Sequence, residues 1–316
     1  MQARRWKLLF ATITLCSLAA SQEQATDANR LNHDPDAAVI SASDVRLFWN
    51  AYDLWQKSEH GEPGKLAGIL QSEYLDKGSP GVKDFTPGRI TSADYLAKVV
   101  IARRGDYEAV RRNTEQMESF IPEIRKSFRN FQKLYPAASF PAVYFVIGAQ
   151  SSGGTSTASS LVIGSEMFGE GPQFLVHLSE VLPMVTHELD HFQQKDHSNN
   201  DLLSVAMREG AADFMAELVA GSHINERNKA FADAHEQEIW LEFNKEIHGE
   251  NRLGEWVNVY RPKNGWPPFM GYYVGYKVCQ AYYQVSTDKQ KALKTIVEMA
   301  SPEDILAKSS YEKRFQ

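Results

Sequence analysis

Only two cysteines stand in this chain, Cys16 and Cys279. The first falls in an apolar run that reads as a targeting segment, so the mature chain is expected to keep Cys279 alone and to form no intrachain disulfide. Positive charge is also scarce: 34 Lys and Arg face 40 Asp and Glu, for a net charge of −6. With no long basic block to track phosphates, this excludes a general nucleic-acid binder. Beyond the first twenty residues no stretch is apolar enough to cross a bilayer. The glycine-rich run Gln150-Ser151-Ser152-Gly153-Gly154-Thr155 lacks the Gly-Lys-Ser/Thr ending of a phosphate-binding loop. What remains is a globular composition, 43% hydrophobic and 23% charged over 316 residues. That is enough for one large core or two smaller ones.

The N-terminus reads as an export signal. Arg4, Arg5 and Lys7 precede the apolar run from Leu8 to Ala20, and small and then polar residues follow. The run is short for a span, so residues 1–21 are expected to be a cleaved signal peptide, and the protein to be periplasmic or secreted. Cys16 raises the alternative of lipid anchoring, but Leu15 stands where a lipobox wants a small residue. Residues 22–43 read as a loose polar leader. Residues 44–135 carry apolar positions at helical spacing, as in "DVRLFWNAYDLWQ", broken by "HGEPGK" and "DKGSPGVKDFTPGR".

One stretch states a chemistry. His187 and His191 lie four residues apart, hence on one face of a helix, where both rings can reach one ion. Glu188, directly after the first His, sits where a carboxylate can act as general base toward a metal-activated water without ligating the metal. This is the HExxH arrangement. Pro183 places the start of the helix at or just before it. The apolar residues upstream, such as Leu182, Met184 and Val185, mark a segment entering a core.

A catalytic zinc site needs a third protein ligand. Glu209, eighteen positions after His191, fits a turn and a returning second helix. Asp213 lies one turn beyond it, where it can accept a hydrogen bond from a ligating His and fix its tautomer. The competing candidate is His197, at the position of the last His in an extended HExxHxxGxxH motif. That motif turns on a glycine, and here the residue is Gln194.

HExxH followed by Glu-x-x-x-Asp on a second helix resembles the gluzincin pattern of the thermolysin-like clan. More narrowly, "VTHELDHFQQ" with "REGAADFMAEL" is similar to a sparsely characterised family of predicted bacterial zinc-dependent proteases. So are "FPAVYFVIGAQSSGGTST" with "LVIGSE", "MGYYVGYKVCQAYY" and "SPEDILAKSSY". The resemblance implies His187, His191 and Glu209 as zinc ligands, Glu188 as base and Asp213 as the acid behind the ligands. Residues 140–148 and 160–163 read as two strands. A hairpin there, with Gly153 and Gly154 in its loop, would by the same likeness offer an edge strand to extended substrate. Glu166, near the strand end, is a candidate to contact a substrate amine. Tyr272 and Tyr276 share a helix face, and either phenol could stabilise the oxyanion of a tetrahedral intermediate. His223, His235 and His248 read as packing or surface residues.

The expected architecture is α+β, mainly helical, with a small sheet packed on the HExxH helix. Residues 136–230 form the zinc-binding core and residues 231–316 a helical C-terminal region. The expected activity is zinc-dependent hydrolysis of peptide bonds in a peptide or protein substrate. Two alternatives stay open: a metal-binding or partner-binding protein that keeps the fold without turnover, and a non-peptidase hydrolase on the same site. Oligomeric state is not legible.

Overall fold

The computed structural model describes residues 32–316, apart from 59–60, 172–173, 175, 196–198, 248–252 and 258–261. The segment expected as a signal peptide, the expected leader up to residue 31, His197 and His248 therefore lie outside the described residues. The fold is α+β and mainly helical, with a small four-stranded sheet. Among the described residues no helix is long and apolar enough to cross a membrane.

Aromatic side chains organise the N-terminal half. Helix α1 (Ser43–Lys57) buries Phe48, Trp49, Tyr52 and Trp55 on one face, at the spacing its sequence suggests. Around it stand α2 (Pro63–Leu70), α3 (Pro80–Phe85), α4 (Ala93–Ala102), α5 (Arg104–Thr114) and α6 (Ile121–Leu134). The segment "DKGSPGVKDFTPGR", expected as a break, is largely helical. Ser79 caps α3 by accepting the Gly81 N–H, and Pro80 occupies the first turn, where its missing N–H costs nothing. The helix then loosens into a π turn over Thr86–Ile90.

The sheet has the order β1-β2-β4-β3. Strand β1 (Ile40–Ser41) runs parallel to β2 (Ala142–Val146), and β2 runs parallel to β4 (Ser160–Gly164). Two expectations change here. Residues 32–43 are not a loose leader: Ile40 and Ser41 pair with β2, and Arg129 holds Asp36 at 2.5 Å. Main-chain pairing needs no apolar side chains, so it leaves no pattern in a polar stretch. The two strands read as a hairpin are parallel neighbours instead. The chain leaves β2, descends a third strand, β3 (Gly154–Ser156), at the sheet edge, and returns between the two as β4. The hairpin is thus β3 with β4.

Behind the sheet lies α7 (Val181–Gln193), with Pro183 in its first turn. It is buried on nearly all sides, packed against β3 and β4 on one flank and α8 (Leu202–Ala220) on the other. Asp201 caps α8 by accepting the Ser204 N–H at 2.7 Å, and Gly221 ends it in the left-handed conformation. The chain continues through α9 (Glu226–Ala234), α10 (Glu236–Glu246), α11 (Leu253–Trp256), α12 (Met270–Val285), α13 (Lys289–Glu298) and α14 (Pro302–Ser309). Helices α8 and α12 touch backbone to backbone. A Cβ on Gly210 would meet Tyr276 N at 2.1 Å, and one on Gly275 would meet Ala206 O at 1.9 Å. This crossing sets Glu209 and Tyr272 on the same side of the molecule.

Candidate metal centre

Helices α7 and α8 bring three donor atoms to one point. His187 Nε2 and His191 Nε2 are 3.0 Å apart. Glu209 Oε2 lies 3.3 Å from the first and 3.2 Å from the second. A tetrahedral ion with bonds near 2.0–2.1 Å needs ligand atoms about 3.3–3.4 Å apart, so this triangle has the size of one face of a zinc tetrahedron. The three are the group among the described residues that could hold a metal ion.

The hydrogen bonds behind the rings give the stronger test of fit. A carboxylate only accepts, so the contact of 2.8 Å between His187 Nδ1 and Asp213 Oδ1 fixes the proton on Nδ1. His191 Nδ1 likewise donates to Gln194 Oε1 at 3.1 Å. That amide is oriented by its own donation to Arg208 O at 2.9 Å. With each ring neutral, both Nε2 atoms therefore present lone pairs to each other and to a carboxylate oxygen. Such a cluster repels itself unless a cation stands at its centre.

Where no cation stands there, protons are drawn in instead. Burial opposes charge on His187, yet Asp213 and Glu209 outweigh it and lift this imidazole well above its ordinary range. His191 is lifted too, burial again being overcome by Glu209. Burial would raise Glu209, but the two imidazoles hold it far below the usual carboxylate range. The residues present fit a divalent ion.

Glu188 is not a corner of this triangle and lies against β3. Burial pushes its carboxyl up, against the pull of both histidines. A Cβ on Gly154 would stand 2.4 Å from Glu188 Oε1, so strand and base touch only because that residue has no side chain. Gly153 O accepts from Gly164 N at 3.1 Å, and Thr157 N donates to Ser160 O at 2.8 Å. Since alternate residues of a strand turn their polar groups to opposite sides, Gly154 and Ser156 aim theirs outward from the sheet edge.

Two cavities meet at this point, of about 540 and 900 Å3. Arg89, Ser152, Gly154, His187, Glu188 and Tyr272 line both. Tyr272 stacks on His187 with ring centroids 6.4 Å apart, and burial together with Glu209 and Asp213 keeps its phenol protonated. Tyr276 is not brought to the site. Its ring packs on Phe214 and His223, and its hydroxyl accepts from Gln280 Nε2 at 3.0 Å. The turn from 272 to 276 carries it past the crossing of α8 and α12. Gln194 went unrecognised in the sequence as the residue orienting His191. Its spacing of one turn was visible, but glutamine at a helix end carries no distinctive signal. His235 packs on Phe231, with its Nδ1 2.8 Å from the Phe231 carbonyl.

Residues 164–306 match the model of a family described as "Predicted Zn-dependent protease (DUF2268)". The matched stretch runs from the last residue of β4 into α14, so it includes α7, α8 and Tyr272, while Gly153 and Gly154 precede it. No curated protein and no solved structure matches the chain.

Proposed function

We propose that this chain is an exported zinc-dependent peptidase whose centre is His187, His191 and Glu209. The observation that carries the reading is the triangle of lone pairs, 3.0–3.3 Å on its edges, closing on one point beside a separate buried carboxylate. The family match supports it independently. Zinc bound there would supply Lewis acidity, making water a nucleophile near neutral pH and polarising a carbonyl.

The chain's own groups do the rest. Gly154 and Ser156 pair an extended peptide through main-chain hydrogen bonds, which tolerates many sequences. The peptide then runs from one cavity to the other, with its scissile bond over Glu188. Glu188 takes a proton from the attacking water and passes it to the nitrogen of the leaving amine as the C–N bond breaks. The raised carboxyl of Glu188 suits a group that must hold that proton in between. The Tyr272 phenol donates to the oxygen that becomes negative in the tetrahedral intermediate. Asp213 and Gln194 orient the two imidazoles.

The test is direct. Purified protein, stripped with a chelator and then given one equivalent of zinc, is incubated with a mixed peptide library whose products are mapped by mass spectrometry. Cleavage should vanish on stripping and return with zinc. A zinc-loaded protein that cleaves nothing would overturn the reading in favour of a binding protein.

The contact between Gly154 and Glu188 gives a sharper result. A methyl at position 154 forces the base aside, and a shift of about 1 Å at a reacting group costs roughly 100-fold in rate. Gly154→Ala should therefore lose about that factor in kcat/KM with zinc content unchanged. Gly153→Ala is the control, because its methyl would meet only the far end of Met184, 2.8 Å away and free to move. Equal activities for the two variants would show that β3 does not position the base.

A further inference from the structure

The smaller cavity reaches a second carboxylate. Glu166, in the turn after β4, is 1% exposed yet lines the same space as Glu188. Its Oε1 accepts the Gln150 N–H at 3.0 Å, and the Gly148 N–H also serves the carboxylate. That stretch of backbone is pinned from behind. The Tyr74 hydroxyl donates to Ile147 O at 2.7 Å and accepts from Ile147 N at 3.0 Å. The Tyr107 hydroxyl donates to Gly148 O at 2.7 Å. Gly148 leaves room for the group: a Cβ there would meet Glu166 Oε1 at 2.8 Å.

Oε2 is different. It has no hydrogen-bond partner among the described residues, and neither has Oε1 of Gln150, a residue that lines the same cavity. Burial pushes Glu166 up to about 7, with only backbone N–H groups opposing it. A buried carboxylate held rigidly by one oxygen, on a residue that lines a cavity and with its other oxygen unpartnered, waits for a donor. The walls of that cavity include Phe174, Val176 and Met184, which suit an aliphatic stem. The cavity also holds Arg103, but Asp106 already engages it at 2.8 Å. Arg89 stands at the end shared with the second cavity.

We propose that Glu166 Oε2 and Gln150 Oε1 form a subsite for a primary ammonium group of the substrate, from a lysyl side chain or a free amino terminus. This rests on the reading of the cleft as a peptide site and names the substrate class that cleft selects. An ammonium carries three donors on a compact centre and can serve two unpartnered acceptors of one cavity.

The experiment measures binding without turnover. Zinc-loaded Glu188→Gln protein is titrated by fluorescence anisotropy with labelled peptides that differ at one internal position, Lys, norleucine or Glu. Each is made with a free and with an acetylated amino terminus. An ammonium paired with the buried carboxylate should improve affinity about tenfold or more. A gain of Lys over norleucine in acetylated peptides identifies the side chain as the source. A gain on removing the acetyl group identifies the terminus. Adding Glu166→Gln should reduce either gain to less than twofold and leave the norleucine peptide unchanged. Norleucine binding as tightly as Lys, with acetylation also without effect, overturns the proposal whatever the variant does, and so does a gain that survives Glu166→Gln. Binding with the preference, while the wild type cleaves nothing, sinks hydrolysis and leaves the subsite standing. No binding by any peptide sinks both.

Discussion

Glu188→Gln should abolish peptide hydrolysis while leaving zinc and fold in place. The substitution keeps shape and volume against Gly154 but removes the proton acceptor. General acid–base groups contribute about 100- to 10,000-fold, and kcat/KM should fall by that order. Stability should hold or rise, because the wild-type carboxylate is buried beside β3 and its ionised form is disfavoured there. Three readings on one preparation settle the matter: metal content, thermal midpoint and rate on a pooled peptide substrate. A variant that keeps a tenth of the activity would remove Glu188 from the reaction. A variant that loses zinc as well would make Glu188 part of the metal site.

Removal of a ligand should be graded against removal of a group behind a ligand. His187→Ala and Glu209→Ala each delete one corner of the donor triangle, and near-total loss of zinc is expected. Asp213→Asn keeps the bond to His187 Nδ1 but weakens it by removing the charge. Losses from groups behind a ligand run to about 10–100-fold in affinity. Titration against a competing chelator separates these classes on one scale. His197→Ala belongs in the series as the rival third ligand and should bind zinc like the wild type. If it loses the metal while Glu209→Ala retains it, the centre is assigned to the wrong third residue. If Asp213→Asn matches the wild type, that acid serves packing alone.

The candidate metal centre was largely legible in the sequence because its geometry is local. A spacing of four on a helix puts two side chains on one face whatever the tertiary context, so His187 with His191 and Glu209 with Asp213 could be paired from their numbers. Only the meeting of α7 with α8 had to be supplied by the fold. The neighbours of the site were not legible for the converse reason. Strand β3 is Gly-Thr-Ser, three residues without apolar alternation, and it exists because β4 is there to pair with it. The parallel pairing of β2 and β4 follows from that insertion. Gln194 matters through an amide oriented by Arg208, and Glu166 through an oxygen whose isolation is a fact of space. Tyr272 and Tyr276 looked equivalent on a helical wheel. Their difference comes from the crossing of α12 with α8, which a wheel does not contain.

That crossing also bears on how related sequences can drift. Gly210 and Gly275 each press against the other helix's main chain, and neither contributes a side chain to the contact. In most helix pairs a larger residue on one side is compensated by a smaller one opposite, which leaves a correlated trace in an alignment. Here there is nothing smaller to exchange. Both positions should be frozen independently, so the contact that seats Glu209 beside Tyr272 would yield no covariation signal and show itself only as two unvarying columns.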